Sequence, residues 1–546
     1  MVILASSVPV FWQWILALIV FILVLGLIIA LHEAGHLFFA KKAGILCHEY
    51  AIGMGPVIKQ WKKKGKETAI SVRAIPFGGF VSMAGEDTNE TLLKIGDLVS
   101  LKVNDNNEII DIIATQKVEG NVKGQVLGYD LYSKDGGPMY IDLDVDGENR
   151  HFIATRDTHY VFSPKERIQI APYDRCFESK KWFPRFITVF GGPLMNFVIA
   201  LVLFLIVGMI TGVSNAEDTI LGGTTEYYPA SRILQKGDKI LKIGEYDVTN
   251  WSELSAAMAN YSLTEVVNVT YQRDGKQYSA DIETVIVSYK LGIANFDNDD
   301  IESDGDYIMN KNDKGVKVSV VYSDDYVASK AGIKNGDIIL GYYDNDNFIE
   351  TNDWKSLVSY IEKDDNLTSI KLKVLQGEEE VDITSSVWTT TSLDQLGVGY
   401  SSKTSIGIEC ATKFSFFGGI GNAFVLFWNS ITTVFKTLWA LFSNSQIHVT
   451  DLSGPVGIFQ AVKSYLFGTD FITFISFVAL ISANIGVVNL LPIPALDGGR
   501  ILFLIIEGIT KKKINKKVET VLNNVVFVLV MILFVFITIK DIFRLF

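Results

Sequence analysis

Residues 25–42 read LGLIIALHEAGHLFFAKK, and His32-Glu33-Ala34-Gly35-His36 interrupts an otherwise apolar run. On a helix, side chains four residues apart share a face, so both imidazoles can reach one metal ion. Glu33 is then placed to accept a proton from water at that ion. Burying these polar side chains in lipid without partners would cost several kcal/mol. The stretch therefore predicts a metal site inside a membrane helix, with a polar cluster satisfied between helices as the alternative.

The apolar run that holds this motif is long enough to cross a bilayer, which needs roughly 20 residues. We expect it not to be a cleaved signal peptide, because residues 1–10 contain no Lys or Arg and the run is too long. A later stretch, 424–442, carries polar residues such as Asn429 and Lys436, which favours an amphipathic interfacial helix over a full span. The predicted spans are 11–40, 186–213, 471–509 and 518–545, and the predicted interfacial helix is 414–445.

A catalytic zinc ion usually has three protein ligands, so a third residue has to join His32 and His36. The other histidines lie in soluble or interfacial segments or beyond the end of the first span. A carboxylate is the better candidate, and the best placed is Asp497 in the segment 489–500, NLLPIPALDGGR. Pro492 and Pro494 interrupt the helix there, and broken helices at membrane depth are tolerated where they line an enclosed cavity. The alternative is a helix end that Asp497 caps beside a glycine turn.

Basic residues follow the first predicted span, precede the second, and separate the third from the fourth. Positive charge concentrates on the cytoplasmic side, so these clusters predict an N-terminus outside the cell. On this topology 214–410 lies outside, and His36 and Asp497 both fall at the cytoplasmic ends of their spans. The alternative is that each cluster is only a solvated loop. The clusters are Lys41, Lys42, Lys59, Lys62, Lys63, Lys64 and Lys66; Lys180 and Lys181; and Arg500, Lys511, Lys512, Lys513, Lys516 and Lys517.

The composition agrees with a protein that has both membrane spans and soluble domains. The chain of 546 residues is 49% hydrophobic and 20% charged, with a mean hydropathy of +0.27. Its net charge of −12 argues against nucleic acid as a partner, since nucleic-acid binding needs clustered Lys and Arg. The three cysteines lie far apart and predict neither a disulfide framework nor a CxxC metal site.

Two regions between the spans have strand patterning. Residues 86–172 alternate apolar and polar positions, which predicts a β-rich cytoplasmic insertion without chemistry of its own. In the external segment, 230–258 aligns with 328–361, and in each a Gly-Asp turn leads into an apolar strand, a second turn and a Trp-led helix. This pattern resembles the core of PDZ domains, which bind extended peptides by adding a strand to a sheet edge. The alternative is a pair of unrelated β-rich domains with ordinary turns.

Taken together, these ordered motifs resemble the site-2 protease family, in particular the bacterial regulator-of-sigma-factor type of low-GC Gram-positive organisms. The resemblance extends over nearly the whole chain. Many Gram-positive members have one PDZ domain, whereas this sequence predicts two, of which the first is the weaker match. The further family elements are Phe77-Gly78-Gly79-Phe80-Val81, Gly192-Pro193-Leu194-Met195-Asn196 in the second span, Ser453 to Gly457 before the third span, and APYDRCFESK at 171–180.

The resemblance implies a zinc-dependent intramembrane endopeptidase. In such an enzyme His32, His36 and Asp497 would hold Zn²⁺, and Glu33 would be the general base. The implied substrates are transmembrane proteins that have already been trimmed, such as anti-sigma factors or remnant signal peptides. They would be cut within the lipid bilayer of a bacterial plasma membrane, near its cytoplasmic face, in regulated intramembrane proteolysis.

The resemblance also assigns residues that bind the substrate. Asn489, with Pro492 and Pro494, would help to hold or activate the substrate carbonyl. Residues 46–85, including Gly78 and Gly79, would form a membrane-associated β-hairpin that grips an unwound substrate strand. Unwinding is needed because a helical peptide hides its carbonyls from attack.

The sequence thus predicts a polytopic α-helical membrane protein with about four spans plus an interfacial helix. It adds α+β PDZ-like external domains at 220–290 and 316–390 and a β-rich cytoplasmic insertion at 86–180. Two other functional classes stay open. A non-catalytic membrane scaffold with a decayed metal site would fail to bind zinc stoichiometrically. A transporter would show metal-dependent transport into vesicles.

Overall fold

The apolar helices and the β-rich regions predicted from the sequence are both present in the computed structural model. The chain forms two compact units, Met1–Phe204 with Ser453–Phe546 and Leu205–Leu452. The structure describes residues 9–63, 65–86, 93–113, 118–163, 166–225, 229–261, 266–284, 290–294, 315–318, 320–321, 326–351, 354–363, 366–389, 392–393, 405–443, 454–468, 470–512 and 515–543.

The regular elements are numbered along the chain. The helices are α1 (Val10–Lys42), α2 (Trp182–Thr211), α3 (Trp251–Met258), α4 (Val327–Lys330), α5 (Trp354–Lys363), α6 (Phe416–Ser443), α7 (Pro455–Gly468), α8 (Phe471–Leu490), α9 (Asp497–Thr510) and α10 (Lys516–Phe543). The strands are β1 (Cys47–Trp61), β2 (Ala69–Met83), β3 (Leu98–Val103), β4 (Glu108–Ile113), β5 (Val122–Asp130), β6 (Met139–Val145), β7 (Glu148–Ser163), β8 (Glu166–Gln169), β9 (Val213–Ser214), β10 (Leu221–Thr224), β11 (Lys239–Ile243), β12 (Tyr246–Asp247), β13 (Val266–Arg273), β14 (Lys276–Glu283), β15 (Ile293–Ala294), β16 (Val316–Lys317), β17 (Val320–Val321), β18 (Ile338–Asp344), β19 (Asn347–Glu350), β20 (Ser369–Gln376), β21 (Glu379–Ser386), β22 (Ile408–Cys410) and β23 (Thr412–Lys413).

Five of the described helices are long and apolar enough to cross a membrane by length and composition: α1, α2, α6, α8 and α10. Four of them overlap the predicted spans, although α8 ends at Leu490 and the rest of the predicted range 471–509 is a turn followed by α9. The fifth, α6, is the least apolar of the five and coincides with the predicted interfacial helix. It exposes bulky aromatic side chains such as Phe417, Trp428 and Trp439, while Gly419 and Ala423 on another face are buried.

Helix α7, just before the third span, was not predicted from the sequence. Its N-terminal amides at Gly454 and Gly457 donate to Asp541 Oδ2 at 2.8 and 3.0 Å. Asp541 belongs to α10 and is 3% exposed, so a distant carboxylate satisfies the free donors of this helix end. α7 also packs its Val462 against Phe21 of α1, on the N-terminal side of the His-Glu-His motif.

Strands β1 and β2 form the predicted hairpin directly after α1. Glu49 lies opposite Ala69 at the start of β2 and opposite Ser82 near its end. The two ends of β2 therefore flank the first part of β1, one on each side. The Tyr50 hydroxyl donates to the backbone carbonyl of Ala30 in α1 at 2.6 Å. The hairpin is therefore fixed to the helix turn that immediately precedes the His-Glu-His motif.

The β-rich insertion is a small closed barrel. Antiparallel pairing joins β4, β3, β5, β6 and β7 in that order, and a parallel pairing of β4 with β7 closes the ring. Closure removes the sheet edges that would otherwise invite aggregation. The interior is apolar, and Leu101, Ile112, Ile141 and Leu143 are fully buried there.

The segment 171–180 connects the barrel, the hairpin and the first two spans. The Arg175 guanidinium donates to both carboxylate oxygens of Glu67 in the hairpin turn, at 2.6 and 2.7 Å, and these hydrogen bonds lower the pKa of Glu67. Backbone bonds run from the Leu46 amide to the Arg175 carbonyl and from the Phe177 amide to the Ala84 carbonyl, at 3.0 and 2.7 Å. The segment thus sets where α2 begins relative to α1.

The second unit contains two copies of one element order: a short helical turn, a strand, a second strand, a Trp-led helix and a two-stranded hairpin. The Gly-Asp turns are built alike. Asp238 accepts the Gln235 amide and pairs with Arg273 at the end of β13, and Asp337 accepts the Lys334 amide and the Gln376 side chain at the end of β20. These matching contacts agree with an internal repeat.

The two copies are nested in the chain. Strand β22 pairs with β10 of the first copy, and Ile406 lies in the first copy's core. The first copy therefore includes residues beyond the predicted range of 220–290, and the second copy is inserted into it. Strand β9, just before β10, pairs with β23, just after β22, and Ser214 lies opposite Thr412.

Candidate metal centre

The three residues predicted to bind a metal lie together. His32 and His36 project from one face of α1, as their spacing requires, and their Nε2 atoms are 3.2 Å apart. Asp497 is the first residue of α9, and its Oδ2 lies 3.1 Å from His32 Nε2 and 3.3 Å from His36 Nε2. Among the described residues this is the one group of three or more side chains with metal-ligand spacing.

These separations fit a tetrahedral zinc ion. Zinc bonds nitrogen and oxygen at about 2.0–2.1 Å, so neighbouring ligands of a tetrahedron lie roughly 3.3 Å apart. The three donor atoms approximate one face of such a tetrahedron. His32 and His36 are 7% and 8% exposed, so the donors are shielded from bulk solvent.

Each histidine uses its other ring nitrogen to contact α2. His36 Nδ1 lies 2.9 Å from the Thr188 carbonyl oxygen. His32 Nδ1 lies 3.2 Å from Nδ2 of Asn196. Both partners are fully buried, so the second span fixes the ring planes that the first span supplies.

Close packing of α1 against α2 depends on glycine. A Cβ added at Gly35 would lie 2.1 Å from the Gly191 carbonyl oxygen, and one at Gly191 would lie 2.6 Å from the Phe39 ring. A Cβ at Gly192 would lie 2.3 Å from His36 Nε2 and 2.6 Å from His32 Nε2. Gly192 therefore keeps open the space in front of both donor nitrogens.

The break between α8 and α9 brings Asp497 to the histidines. α8 ends at Leu490, and a short turn with both prolines leads into α9. Added Cβ atoms at Gly498 and Gly499 would lie 2.1 Å from the Leu491 carbonyl oxygen and 2.5 Å from that of Ile493. The glycine pair thus lets α9 fold tightly against the turn, as the sequence predicted for a broken helix.

Glu33 faces the hairpin. A Cβ at Gly79 of β2 would lie 3.0 Å from Glu33 Cγ and 2.9 Å from the Ala51 carbonyl oxygen. The Glu33 carboxylate also interacts electrostatically with His36, His32 and Asp497. The base candidate therefore lies close both to the three candidate donor atoms and to the strand that carries Gly79.

The remaining residues that the resemblance singled out lie around this group. Asn489 is half-buried in the last turn of α8, ahead of the turn that leads to Asp497. Pro492 is exposed and Pro494 is half-buried in that turn. Gly78 has φ +93° beside the Met54 side chain, a conformation that suits glycine.

Comparison with known proteins decides the family. The description "Peptidase family M50" matches residues 20–533. This chain belongs to peptidase family M50. Zinc metalloprotease RasP of Oceanobacillus iheyensis is 30% identical over 531 residues, which cover 97% of this chain and 99% of that protein. RasP of Shouchella clausii is 28% identical over 540 residues, with 97% and 99% covered.

Other matches extend the comparison. A Staphylococcus aureus (strain N315) protein is 30% identical over 544 residues, which cover 98% of this chain and 100% of that protein. Its provisional name is zinc metalloprotease. The crystal structure of a PDZ domain from an SdrC-like protein of Listeria monocytogenes covers 14% of this chain and 78% of that chain, at 20% identity and a TM-score of 0.13.

Membership of family M50 confirms the resemblance to site-2 proteases, the assignment as a zinc metalloendopeptidase and the requirement for Zn²⁺. It decides against the non-catalytic scaffold and the transporter. This M50 peptidase is a multi-pass membrane protein with several apolar helices. Its family membership makes membrane proteins its class of substrate.

Some site residues of this M50 peptidase have no role in the sequence analysis. Thr188, Gly192 and Asn196 follow one another at intervals of four, so they share one face of α2. That spacing, and the place of Gly192 and Asn196 in the family element 192–196, were the available signals. Arg500 forms an ion pair with Glu86, which follows the hairpin. That contact links α9 to the end of the hairpin, and no local sequence pattern predicts it.

Proposed function

We propose that this M50 peptidase is an intramembrane endopeptidase that cleaves transmembrane segments of membrane proteins that have already been trimmed. The observation that carries the proposal is the position of the donor atoms. His32 and His36 lie within α1, and Asp497 directly follows α8, and both helices are apolar enough to span a bilayer. A buried site of this kind reaches peptide bonds that soluble proteases cannot.

In this proposal His32 and His36 would hold zinc through Nε2, and Asp497 would hold it through Oδ2. When bound, zinc supplies a Lewis acid that polarises the scissile carbonyl and makes water easier to deprotonate. Glu33 accepts the proton of the attacking water and later delivers a proton to the leaving amine. Asn489 steadies the developing oxyanion or the extended substrate.

The hairpin is the element that presents the substrate. The segment of β2 from Gly79 to Met83 pairs with β1 on one side, and no other described strand pairs with it. A substrate strand added along its free edge would gain backbone hydrogen bonds in place of those lost on unwinding. Because Gly79 adjoins Glu33, such a strand would run beside the general base.

The direction of the helices supports the predicted topology. The site lies near the end of α1, near the start of α2 and after the end of α8. The chain therefore leaves the site along α2 and returns to it along α8. The segment 212–470 then starts and ends on the same side of the membrane. If α6 crossed the membrane, a second crossing would be needed before α8, and α7, the one described helix between them, is too short at about 21 Å for its 14 residues.

We assign α6 to the interface on this ground. The basic clusters that flank the spans favour an N-terminus outside the cell. The site then lies near the cytoplasmic face, and the two nested copies lie outside the cell. We further propose that these copies are PDZ-like domains that act as a size filter. Anti-sigma factors and remnant signal peptides are the substrates that fit such an enzyme.

Excising the external segment tests the filter. Because Ser214 lies opposite Thr412, residues 215–411 can be replaced by an Asn-Gly turn, which suits two-residue hairpins. We expect the shortened protein to cleave an untrimmed single-span substrate as fast as a trimmed one, whereas the full chain cleaves only the trimmed form. Equal activity of both proteins on the trimmed substrate is the control. Unchanged selectivity after excision would contradict the filter.

Metal removal tests the proposed function itself. We expect a strong chelator to strip zinc from the detergent-purified protein and stop cleavage of a trimmed single-span substrate. Adding back one equivalent of Zn²⁺, about one ion per chain, should restore it. Cleavage that persists in protein shown to be free of zinc would overturn the proposal.

A further inference from the structure

The face of α2 that meets the histidines offers one partner to each ring. Thr188 presents its backbone carbonyl to His36, and Asn196 presents its side-chain amide to His32. Asn196 is fully buried. Its backbone carbonyl accepts the Ser482 hydroxyl at 2.9 Å, so α8 fixes its position as well.

The His36 contact determines the tautomer of that ring. A carbonyl oxygen can only accept, so His36 Nδ1 carries the proton and Nε2 has a free lone pair. That lone pair points toward His32 and Asp497, as a metal ligand requires. Metal-ligating histidines usually donate their second ring N–H in this way.

His32 needs the same arrangement if its Nε2 is to bind zinc, so its Nδ1 must donate to an acceptor. The amide nitrogen of Asn196 cannot accept. The Oδ1 of Asn196 can, and it is buried without a hydrogen-bond partner. Rotating the amide by half a turn exchanges the two atoms and gives both His32 Nδ1 and Asn196 Oδ1 a partner.

We propose that Asn196 is a positioning residue that accepts the Nδ1–H of His32 through Oδ1 and so directs the Nε2 lone pair of His32 at the zinc ion. This inference rests on the proposed zinc site and adds its orientation. It also ties the second and third spans to the metal, because Asn196 is held between His32 and Ser482.

Zinc affinity of three variants, measured by chelator competition in detergent, tests the role of Asn196. Asn196→Leu keeps the branching at Cγ but removes the acceptor, so we expect zinc to bind about 10–100-fold more weakly. Asn196→Asp can accept but not donate, so we expect an affinity within a few-fold of the wild type. Asn484→Leu is the matched control. It removes a side-chain amide from α8 instead of α2 and should bind zinc as the wild type does.

The outcomes separate the possibilities. If Asn196→Asp lost affinity as severely as Asn196→Leu, donation by the amide would be the important contact and the inference would be wrong. Wild-type affinity in Asn196→Leu would also overturn it. Cobalt-substituted protein adds a spectroscopic readout: its visible d–d bands should change in Asn196→Leu and be restored in Asn196→Asp. Failure of the wild type to bind zinc would instead refute the proposed function.

Discussion

Replacing Gly192 by alanine is expected to weaken zinc binding by at least ~100-fold and to abolish proteolysis. The new Cβ would lie 2.3 Å from His36 Nε2 and 2.6 Å from His32 Nε2. Since no Cβ can approach a neighbour so closely, either α2 moves away or both imidazoles turn out of position. Zinc content by elemental analysis and cleavage of a trimmed single-span substrate are measured on the same preparation.

Gly26→Ala in α1 is the control for this substitution. A Cβ there meets no atom within 4 Å, so the added methyl should leave zinc content and cleavage unchanged. Full zinc occupancy in Gly192→Ala would show that the ion lies elsewhere than between the two histidines and Asp497.

Replacing Glu33 by glutamine is expected to reduce cleavage by about 10²–10⁴-fold, the usual contribution of a general base. Glutamine has nearly the same size, but its amide cannot accept the proton of the attacking water. Zinc should be retained, because Glu33 is not among the three donors that lie within bonding geometry. The substitution therefore separates proton transfer from metal binding.

Initial cleavage rates and zinc content are compared between wild type and Glu33→Gln. Loss of zinc in the variant would make Glu33 a ligand. A rate equal to that of the wild type would place the general base on another residue. Either result would require a different assignment of the His-Glu-His motif.

The candidate metal ligands were predictable because their chemistry conflicts with their surroundings. His32, Glu33 and His36 are costly in an apolar helix unless they have a purpose, and Asp497 stands beside helix-breaking prolines. Separations of 3.1–3.3 Å show that the candidate donor atoms of His32, His36 and Asp497 lie together. The roles of zinc ligand and base stay predictions, as do those of Asn489 and the hairpin glycines.

Other features depend on contacts between distant residues, which local patterns do not reveal. Helix α7 has no predictable cap because Asp541, far along the chain, satisfies its amides. The barrel closes through a parallel pairing of β4 with β7, and the nesting of the two copies in the second unit depends on β22. The partner of His32 on α2 was visible only as an Asn in a known motif.

The position of the cut tests the account most directly. The purified protein is reconstituted with a trimmed single-span substrate in liposomes, and the products are identified by mass spectrometry. We predict one or a few cuts inside the apolar segment, toward its cytoplasmic end, made by the wild type and absent with Glu33→Gln. Cuts confined to residues outside the bilayer, or the same cuts made by Glu33→Gln, would contradict an intramembrane protease that acts through this site.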